Sequence, residues 1–257
     1  MTSGRIAFLH ISLIPGDIKR NRYVIVEGVK HAAAQGAQWI IAPELAVCGL
    51  QFVPIIGTDW IQPQPDAWMQ QLCRLVRGLK RTVFMSCPER DAARKLYNSV
   101  FVINPRGEVV GKHRKINVAS DSLSWSSAGD VVAPVECDGI RVGLPICSDL
   151  YTRNITDELK SKGAQMLVSP ASWGPGIHGP NGEWEQRTRE TGLPLLVCNR
   201  TGAERTLDFW KAPSLVVKDG KRTLSHSSER SAVLIFDWDF RAMAPLSTEY
   251  RVEYLGE

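Results

Sequence analysis

Several patterns that would place this chain in a common class of proteins are missing from its sequence. Its six cysteines, at 48, 73, 87, 137, 147 and 198, include no CxxC pair. In a chain this long they therefore indicate neither a zinc site nor a disulfide framework. The five histidines show no metal-ligand spacing. No GxGxxG segment immediately follows a predicted strand and no GxSxG occurs, which argues against a dehydrogenase and a serine hydrolase. We expect no metal ion and no organic cofactor.

The chain also lacks a long apolar run and a strong charge of one sign. No run approaches the roughly 20 residues that cross a membrane. The apolar stretch from Ile6 to Ile14 is interrupted by His10 and Ser12 and has no small-residue cleavage pattern after it, so it predicts a first strand rather than a signal peptide. The formal charge of +4 is spread along the chain. We expect a cytoplasmic protein that binds neither nucleic acid nor membrane.

The composition that is present is typical of one globular domain, which we predict over residues 1–257. Of the 257 residues, 44% are hydrophobic and 23% charged. Periodicity predicts helices over 17–35, 66–80, 148–162 and 182–192, with Gly36 and Gly163 as C-terminal stops. It predicts strands near 5–11, 38–43, 82–87, 97–103, 108–113, 140–146, 165–169, 194–199, 212–217 and 231–237. Their alternation indicates an α/β fold with helices on the outer faces of the sheets.

Cys147 is the predicted nucleophile. It ends the apolar run Val142-Gly-Leu-Pro-Ile-Cys147, between a predicted strand and a predicted helix. The partial positive charge of a helix N-terminus favours thiolate over thiol, and a nearby lysine would lower the pKa further. The alternative is a small buried apolar side chain, which is the interpretation we give to the other five cysteines.

Glu44 and Lys115 are the predicted base and cation. Glu44 follows an apolar run and Pro43, so it should lie at the carboxyl end of a strand, where open α/β sheets bind ligands. Partial burial beside a thiol would raise the pKa of Glu44 and suit it to accept the thiol proton. Lys115 ends the basic segment Lys112-His-Arg-Lys115, which by itself is more typical of the solvated face of a hairpin than of a catalytic cation.

The order Glu, Lys, Cys and the residues around each resemble the nitrilase superfamily of carbon-nitrogen hydrolases. The similarity is carried by Ala42-Pro-Glu44-Leu, by Tyr97-Asn-Ser followed by Gly111-Lys-His-Arg-Lys115, and by Gly143-Leu-Pro-Ile-Cys147-Ser-Asp149. It implies a four-layer α-β-β-α sandwich. It also implies a homodimer or higher homo-oligomer and a cofactor-free reaction through a Cys147 thioester, in which Lys115 and the backbone N–H of Ser148 stabilise the oxyanion.

The segments around the expected substrate depart from the family pattern. Ser122 stands where many members have a second glutamate, with Asp121 before it, and Tyr151 stands where several acid-amide hydrolases have an arginine. We expect Ser148, Ser122, Tyr151 and Trp173 to contact a small amide or N-carbamoyl amine, unless Trp173 is a core residue. Tyr151 argues against a substrate carboxylate unless Arg153 replaces the arginine. A nitrile-hydrolysing enzyme and a non-catalytic binding member of the same fold remain as alternatives.

Overall fold

The elements of the fold alternate between strands and helices along the chain. The computed structural model describes residues 2–118, 125–174 and 180–256. The helices are α1 (Ile18–Ala34), α2 (Val53–Ile56), α3 (Ala67–Leu79), α4 (Arg153–Ser161) and α5 (Glu183–Thr191), and a 3-10 helix covers Cys147–Tyr151. The strands are β1 (Ser3–His10), β2 (Trp39–Ile41), β3 (Thr82–Arg90), β4 (Leu96–Ile103), β5 (Val109–Arg114), β6 (Val135–Cys137), β7 (Ile140–Gly143), β8 (Met166–Pro170), β9 (Leu195–Cys198), β10 (Ala203–Glu204), β11 (Leu207–Asp208), β12 (Ser214–Lys218), β13 (Lys221–His226), β14 (Ala232–Asp239), β15 (Ala244–Pro245) and β16 (Arg251–Tyr254).

Two main sheets carry these strands. The first has the order β15-β14-β1-β2-β3-β4-β5, with β16 also paired to β14, and the second has the order β13-β12-β9-β8-β7-β6. The centre of each is parallel: β1, β2 and β3 in the first sheet and β7, β8 and β9 in the second. Parallel neighbours bring their carboxyl ends to one edge of a sheet, which is where such folds place ligands.

The alternation of side chains along the strands divides the apolar interior into layers. On β1, Phe8 faces a cluster that includes both sheets, α4 and α5, whereas Leu9 faces a cluster with α1 and α3. Successive side chains of a strand point to opposite faces, so this division follows from the two-residue period. The result is the four-layer α-β-β-α arrangement that the resemblance to the nitrilase superfamily implied.

Most predicted elements are confirmed, with ends that differ by a few residues. Gly36 and Gly163 follow α1 and α4 with φ of +84° each, a backbone conformation that glycine adopts without strain. The prediction omitted β6, β13, β16 and α2 among the elements of more than two residues. Strand β13, with the sequence Lys-Arg-Thr-Leu-Ser-His, is an edge strand with a largely exposed polar pattern, so hydrophobic periodicity could not reveal it.

The predicted helix 148–162 is wrong in its first turn. A short 3-10 helix covers Cys147–Tyr151, Thr152 is extended with φ −106° and ψ 133°, and α4 begins only at Arg153. The predicted strand 140–146 likewise ends at Gly143. Cys147 therefore does not stand at the N-terminus of an α-helix. In the part of the chain that the structure describes, no helix combines the length and apolarity that crossing a membrane requires.

Candidate active site

Glu44, Lys115 and Cys147 meet at the edge where the carboxyl ends of the central strands lie. Glu44 follows β2 by three residues, Lys115 directly follows β5, and Cys147 begins the 3-10 helix that follows β7. The Lys115 Nζ donates to Glu44 Oε1 at 2.6 Å, and the Cys147 thiol hydrogen-bonds to the Glu44 carboxylate. The three side chains that sequence reasoning selected are thus brought into one buried cluster.

Glu44 is fully buried, where the prediction expected only partial burial. Its Oε1 also accepts from Asn98 Nδ2 at 2.8 Å, and its Oε2 accepts from the backbone N–H of Ser172 at 3.0 Å. The Ser172 hydroxyl donates to the Glu44 backbone carbonyl at 3.1 Å. These bonds tie a loop of the first sheet to the end of β8 in the second sheet, because buried carboxylate oxygens need donors.

Cys147 has a left-handed backbone conformation, with φ of +46°. For a residue with a Cβ this conformation costs about 1–2 kcal/mol, so the surrounding structure must hold it. The backbone N–H of Cys147 donates to Ser169 Oγ at 3.3 Å, and the next turn closes through a bond from Asp149 N–H to the carbonyl of Ile146 at 2.9 Å. The side chain is thereby aimed at Glu44 and Lys115.

The pKa of Cys147 is raised, which corrects the expectation of a lowered pKa. Burial raises the pKa of Cys147 well above its usual range, and the Glu44 carboxylate raises it further. The Lys115 charge and the Ser172 N–H lower it, but by less. The missing α-helix N-terminus at Cys147 removes the other stabiliser that the sequence had suggested. Deprotonation of Cys147 therefore requires a base.

Lys115 is held as a cation. Burial alone would lower the pKa of Lys115, but the negative charge of Glu44 and its hydrogen bond with Lys115 raise that pKa. The residues before Lys115 alternate in direction: Arg114 binds Glu89 with Nη2 to Oε1 at 2.7 Å, while His113 Nε2 contacts Asp149 Oδ2 at 2.9 Å. The end of β5 is thus anchored on both of its faces.

Of the other predicted site residues, Ser148, Tyr151 and Trp173 are among the described residues and Ser122 is not. Ser148 lies in the first turn of the 3-10 helix, whose N–H groups lack helical partners, and its Oγ donates to the Asn117 carbonyl at 2.8 Å. Tyr151 is 41% exposed, and its ring lies 4.7 Å from that of the buried Trp173. Ser122 and Asp121 lie outside the described residues.

Three residues that hold the site together by hydrogen bonds were not among the predicted site residues. Asn98 and Ser172 donate to Glu44, and Asp149 joins the Lys115 segment to the Cys147 turn. Asn98 and Asp149 stand inside the quoted motifs, so polar residues within those motifs were the available signal. Ser172 acts through its backbone N–H, which leaves no signal in the residue type. Among the described residues, no group of three or more His, Cys, Asp or Glu side chains could hold a metal ion.

Residues 5–247 match the family model described as carbon-nitrogen hydrolase. Because the match covers nearly the whole chain, this protein belongs to the carbon-nitrogen hydrolase family and is an enzyme of the class that the sequence predicted.

Two relatives with different named activities are similar to most of the chain. It is 26% identical to "Omega-amidase NIT2" of Homo sapiens over 98% of this chain and 94% of that protein. It is 29% identical to "Nitrilase" of Pyrococcus abyssi, strain GE5 / Orsay, over 78% of this chain and 76% of that protein.

Solved structures show the same fold. Nit3 of Saccharomyces cerevisiae, described as a member of branch 10 of the nitrilase superfamily, superposes with a TM-score of 0.83 at 18% identity, covering 94% of this chain and 92% of that one. An amidase from Nesterenkonia sp. superposes with a TM-score of 0.78 at 22% identity, covering 93% and 91%. A variant of the amidase from Nesterenkonia sp. AN1, at 22% identity and a TM-score of 0.79, carries the acetamide moiety of fluoroacetamide covalently added at its active-site cysteine.

Proposed function

We propose that this enzyme hydrolyses small uncharged amides through a Cys147 thioester, with Glu44 as general acid-base and Lys115 as the oxyanion-stabilising cation. The observation that carries the proposal is the buried contact of Lys115 Nζ with Glu44 Oε1 at 2.6 Å beside a nucleophile turn. A base, a cation and a thiol from three distant segments have no structural need to share one buried site.

In the first half-reaction, Glu44 removes the Cys147 proton as the sulfur attacks the amide carbonyl carbon. The negative charge that develops on the carbonyl oxygen is stabilised by Lys115 and by the backbone N–H of Ser148. Glu44 then gives its proton to the nitrogen, the C–N bond breaks, and ammonia or an amine leaves. The acyl group remains on the sulfur as a thioester.

In the second half-reaction, water replaces the amine. Glu44 accepts a proton from the water as its oxygen attacks the thioester carbonyl, and the same cation and N–H face the oxyanion. The C–S bond then breaks, the acid leaves, and the proton on Glu44 returns to the sulfur. Glu44 thus passes the Cys147 proton to the leaving nitrogen and the water proton to the sulfur, and water is the only co-reactant.

The positions of Tyr151 and Trp173 favour a substrate with an uncharged acyl group. Tyr151 stands on the same 3-10 helix as Cys147, and Trp173 directly follows Ser172, whose N–H binds Glu44. Arg153 binds Asp157 at 2.7 Å on the exposed side of α4, so in this structure its guanidinium faces a surface carboxylate rather than the site. The segments 119–124 and 175–179 contain neither lysine nor arginine.

The test is ammonia or amine release from a panel of primary amides, N-carbamoyl amines and nitriles of equal chain length. Mass spectrometry of the protein should find an acyl adduct on Cys147 during turnover of an amide. Release that is unaffected by Cys147→Ala would contradict the proposal. A nitrile-selective panel would favour the nitrile alternative, and an inert protein that still binds amides would favour the non-catalytic one.

A further inference from the structure

Asp149 occupies the junction between the Lys115 segment and the Cys147 turn. It is fully buried and lies two residues after the proposed nucleophile. Its Oδ1 accepts from the backbone N–H groups of Ile116 at 3.0 Å and of Asn117 at 2.8 Å. Its Oδ2 accepts from the backbone N–H of Ile146 at 2.9 Å and contacts His113 Nε2 at 2.9 Å. All of its acceptor sites on both oxygens are therefore engaged.

The four donors come from two separate pieces of the site. Ile116 and Asn117 directly follow Lys115, and His113 precedes it by two residues on the same face of the strand. Ile146 directly precedes Cys147, and the N–H of Asp149 returns a bond to the Ile146 carbonyl at 2.9 Å. One carboxylate thus holds the backbone on both sides of Lys115 and closes the turn in which Cys147 has its positive φ.

A carboxylate suits this position for a chemical reason. An ionised carboxylate is an acceptor only, with sites for about four donors, whereas an amide side chain of the same shape has one oxygen and an NH₂ group. The His113 ring can match this carboxylate by donating from Nε2, and His113 Nδ1 has no hydrogen-bond partner among the described residues. Burial would raise the pKa of Asp149, but the bonds from His113 and the backbone hold that pKa below its usual range.

We propose that Asp149, supported by His113, is a positioning residue that sets the spacing between the Lys115 cation and the Cys147 nucleophile. It touches neither the substrate nor the reacting sulfur, and it acts through the backbone of residues 116, 117 and 146. The proposal rests on the proposed function in assigning Cys147 as the nucleophile and Lys115 as the cation.

The first test is Asp149→Asn. Two of the four donors should face an NH₂ group, so kcat for the best amide should fall by about 100-fold, equivalent to about 2.7 kcal/mol of transition-state stabilisation, while KM stays within about threefold. The second-order rate of Cys147 alkylation by iodoacetamide should fall as well. The matched control is Asp138→Asn, because Asp138 also accepts from two buried donors, Trp39 Nε1 and Thr82 Oγ1, but lies in the β6–β7 turn away from the site.

Mass spectrometry of the alkylated protein separates loss of positioning from loss of folding. Cys48, Cys87, Cys137 and Cys198 are buried, so modification of these thiols reports unfolding. The expected result in Asp149→Asn is slow modification of Cys147, with the partly exposed Cys73 reacting as in wild type and the other four buried thiols unmodified. A kcat within threefold of wild type, or an alkylation rate equal to wild type, would overturn the proposal.

A second pair of variants keeps the proposal testable if Asp149→Asn does not fold. The side-chain nitrogen of His113→Gln can stand where Nε2 stood and donate to Asp149, so kcat should stay within a few-fold of wild type. His113→Leu removes that donor, so kcat and the Cys147 alkylation rate should both fall by about tenfold or more. Equal kcat values for the two folded variants would overturn the proposal. The alkylation arm needs no substrate, so it remains informative even if wild type releases no ammonia, an outcome that would count against the proposed function alone.

Discussion

At the scale of single residues, the reactivity of Cys147 depends on removing a proton from a buried thiol. The pKa of Cys147 is raised by burial and by Glu44, and Lys115 opposes this shift only in part. When Glu44 accepts the thiol proton it loses its own negative charge, so it no longer disfavours the thiolate. Deprotonation of Cys147 is thereby coupled to its attack on the substrate. The two charged neighbours of the sulfur should therefore have opposite effects on it.

We expect Cys147→Ala to abolish turnover while the protein stays folded, because the alanine has no nucleophile. Cys147→Ser should be nearly as inactive, since a hydroxyl is far less acidic than a thiol in the same buried site. Amide hydrolysis and circular dichroism measure the two properties. Turnover by Cys147→Ala within about tenfold of wild type would remove the covalent mechanism.

Removing the charge of Lys115 and removing that of Glu44 should shift the pKa of Cys147 in opposite directions. Lys115→Met should move the pH profile of Cys147 alkylation to higher pH, because the cation lowers the thiol pKa. Glu44→Gln should move it to lower pH, because the carboxylate raises that pKa, yet this variant should lose amide hydrolysis through loss of the base. Iodoacetamide alkylation across the neutral and alkaline range measures both shifts. Profiles that overlay wild type would mean that the sulfur senses neither group.

Tyr151 should determine which acyl groups enter the site. We expect wild type to favour an uncharged amide over the monoamide of a dicarboxylic acid of equal length. Tyr151→Arg should raise kcat/KM for the anionic substrate relative to the uncharged one by roughly tenfold, and Tyr151→Phe should leave this ratio unchanged. Steady-state kinetics with the matched pair of amides checks this expectation. A wild-type preference for the anionic amide would contradict the assignment of an uncharged acyl group.

At the scale of elements, the end of β5 must sit closely against the segment that carries Gly129. The Gly129 N–H donates to the Lys115 carbonyl at 2.8 Å, and a Cβ at Gly129 would overlap the Arg114 backbone. The basic segment that sequence alone left between a solvated hairpin and a catalytic cation is thus fixed from several sides. No pattern local to the segment could decide between these alternatives, because its partners come from other parts of the chain.

We therefore expect Gly129→Ala to displace the Lys115 backbone and lower kcat by about tenfold or more. Gly78→Ala is the matched control, because a Cβ at Gly78 near the end of α3 meets nothing within 4 Å and alanine favours a helix. Its kcat should equal that of wild type. Equal activities for the two variants would show that β5 tolerates the displacement.

At the scale of the whole molecule, His10 links the two sheets. It ends β1, is fully buried, and its Nδ1 lies 3.1 Å from the Asn199 carbonyl oxygen and 3.0 Å from Ser214 Oγ. Burial lowers the pKa of His10 from 6.5 to about 4, and the neighbouring His226 adds to this shift. Between these values the unfolded chain binds a proton that the folded protein excludes, so stability falls as the pH falls.

We expect the free energy of unfolding to decrease by roughly 1–2 kcal/mol through His10 between neutral pH and pH 5. His10→Asn keeps a donor close to the Nδ1 position but does not titrate, so its stability should depend less on pH over this window. Urea unfolding at the two pH values measures the difference. An equal pH dependence in wild type and His10→Asn would assign the acid sensitivity to other groups.

The homo-oligomeric state stays a prediction, which light scattering after size-exclusion chromatography can test.

Motifs and periodicity were enough to predict the class of enzyme, the order of most strands and helices, and the three side chains that meet at the site. Strand periodicity, glycine stops and short motifs are local properties, so they are legible without contacts. The full burial of Glu44, the raised pKa of Cys147 and the bonds by which Asp149 joins the two halves of the site became visible only in the folded protein. The physical reason is that burial and hydrogen bonding depend on partners far apart in the chain. Glu44 and Lys115 are separated by 71 residues and come together when the first sheet forms, and Cys147 joins them only when the second sheet packs against it.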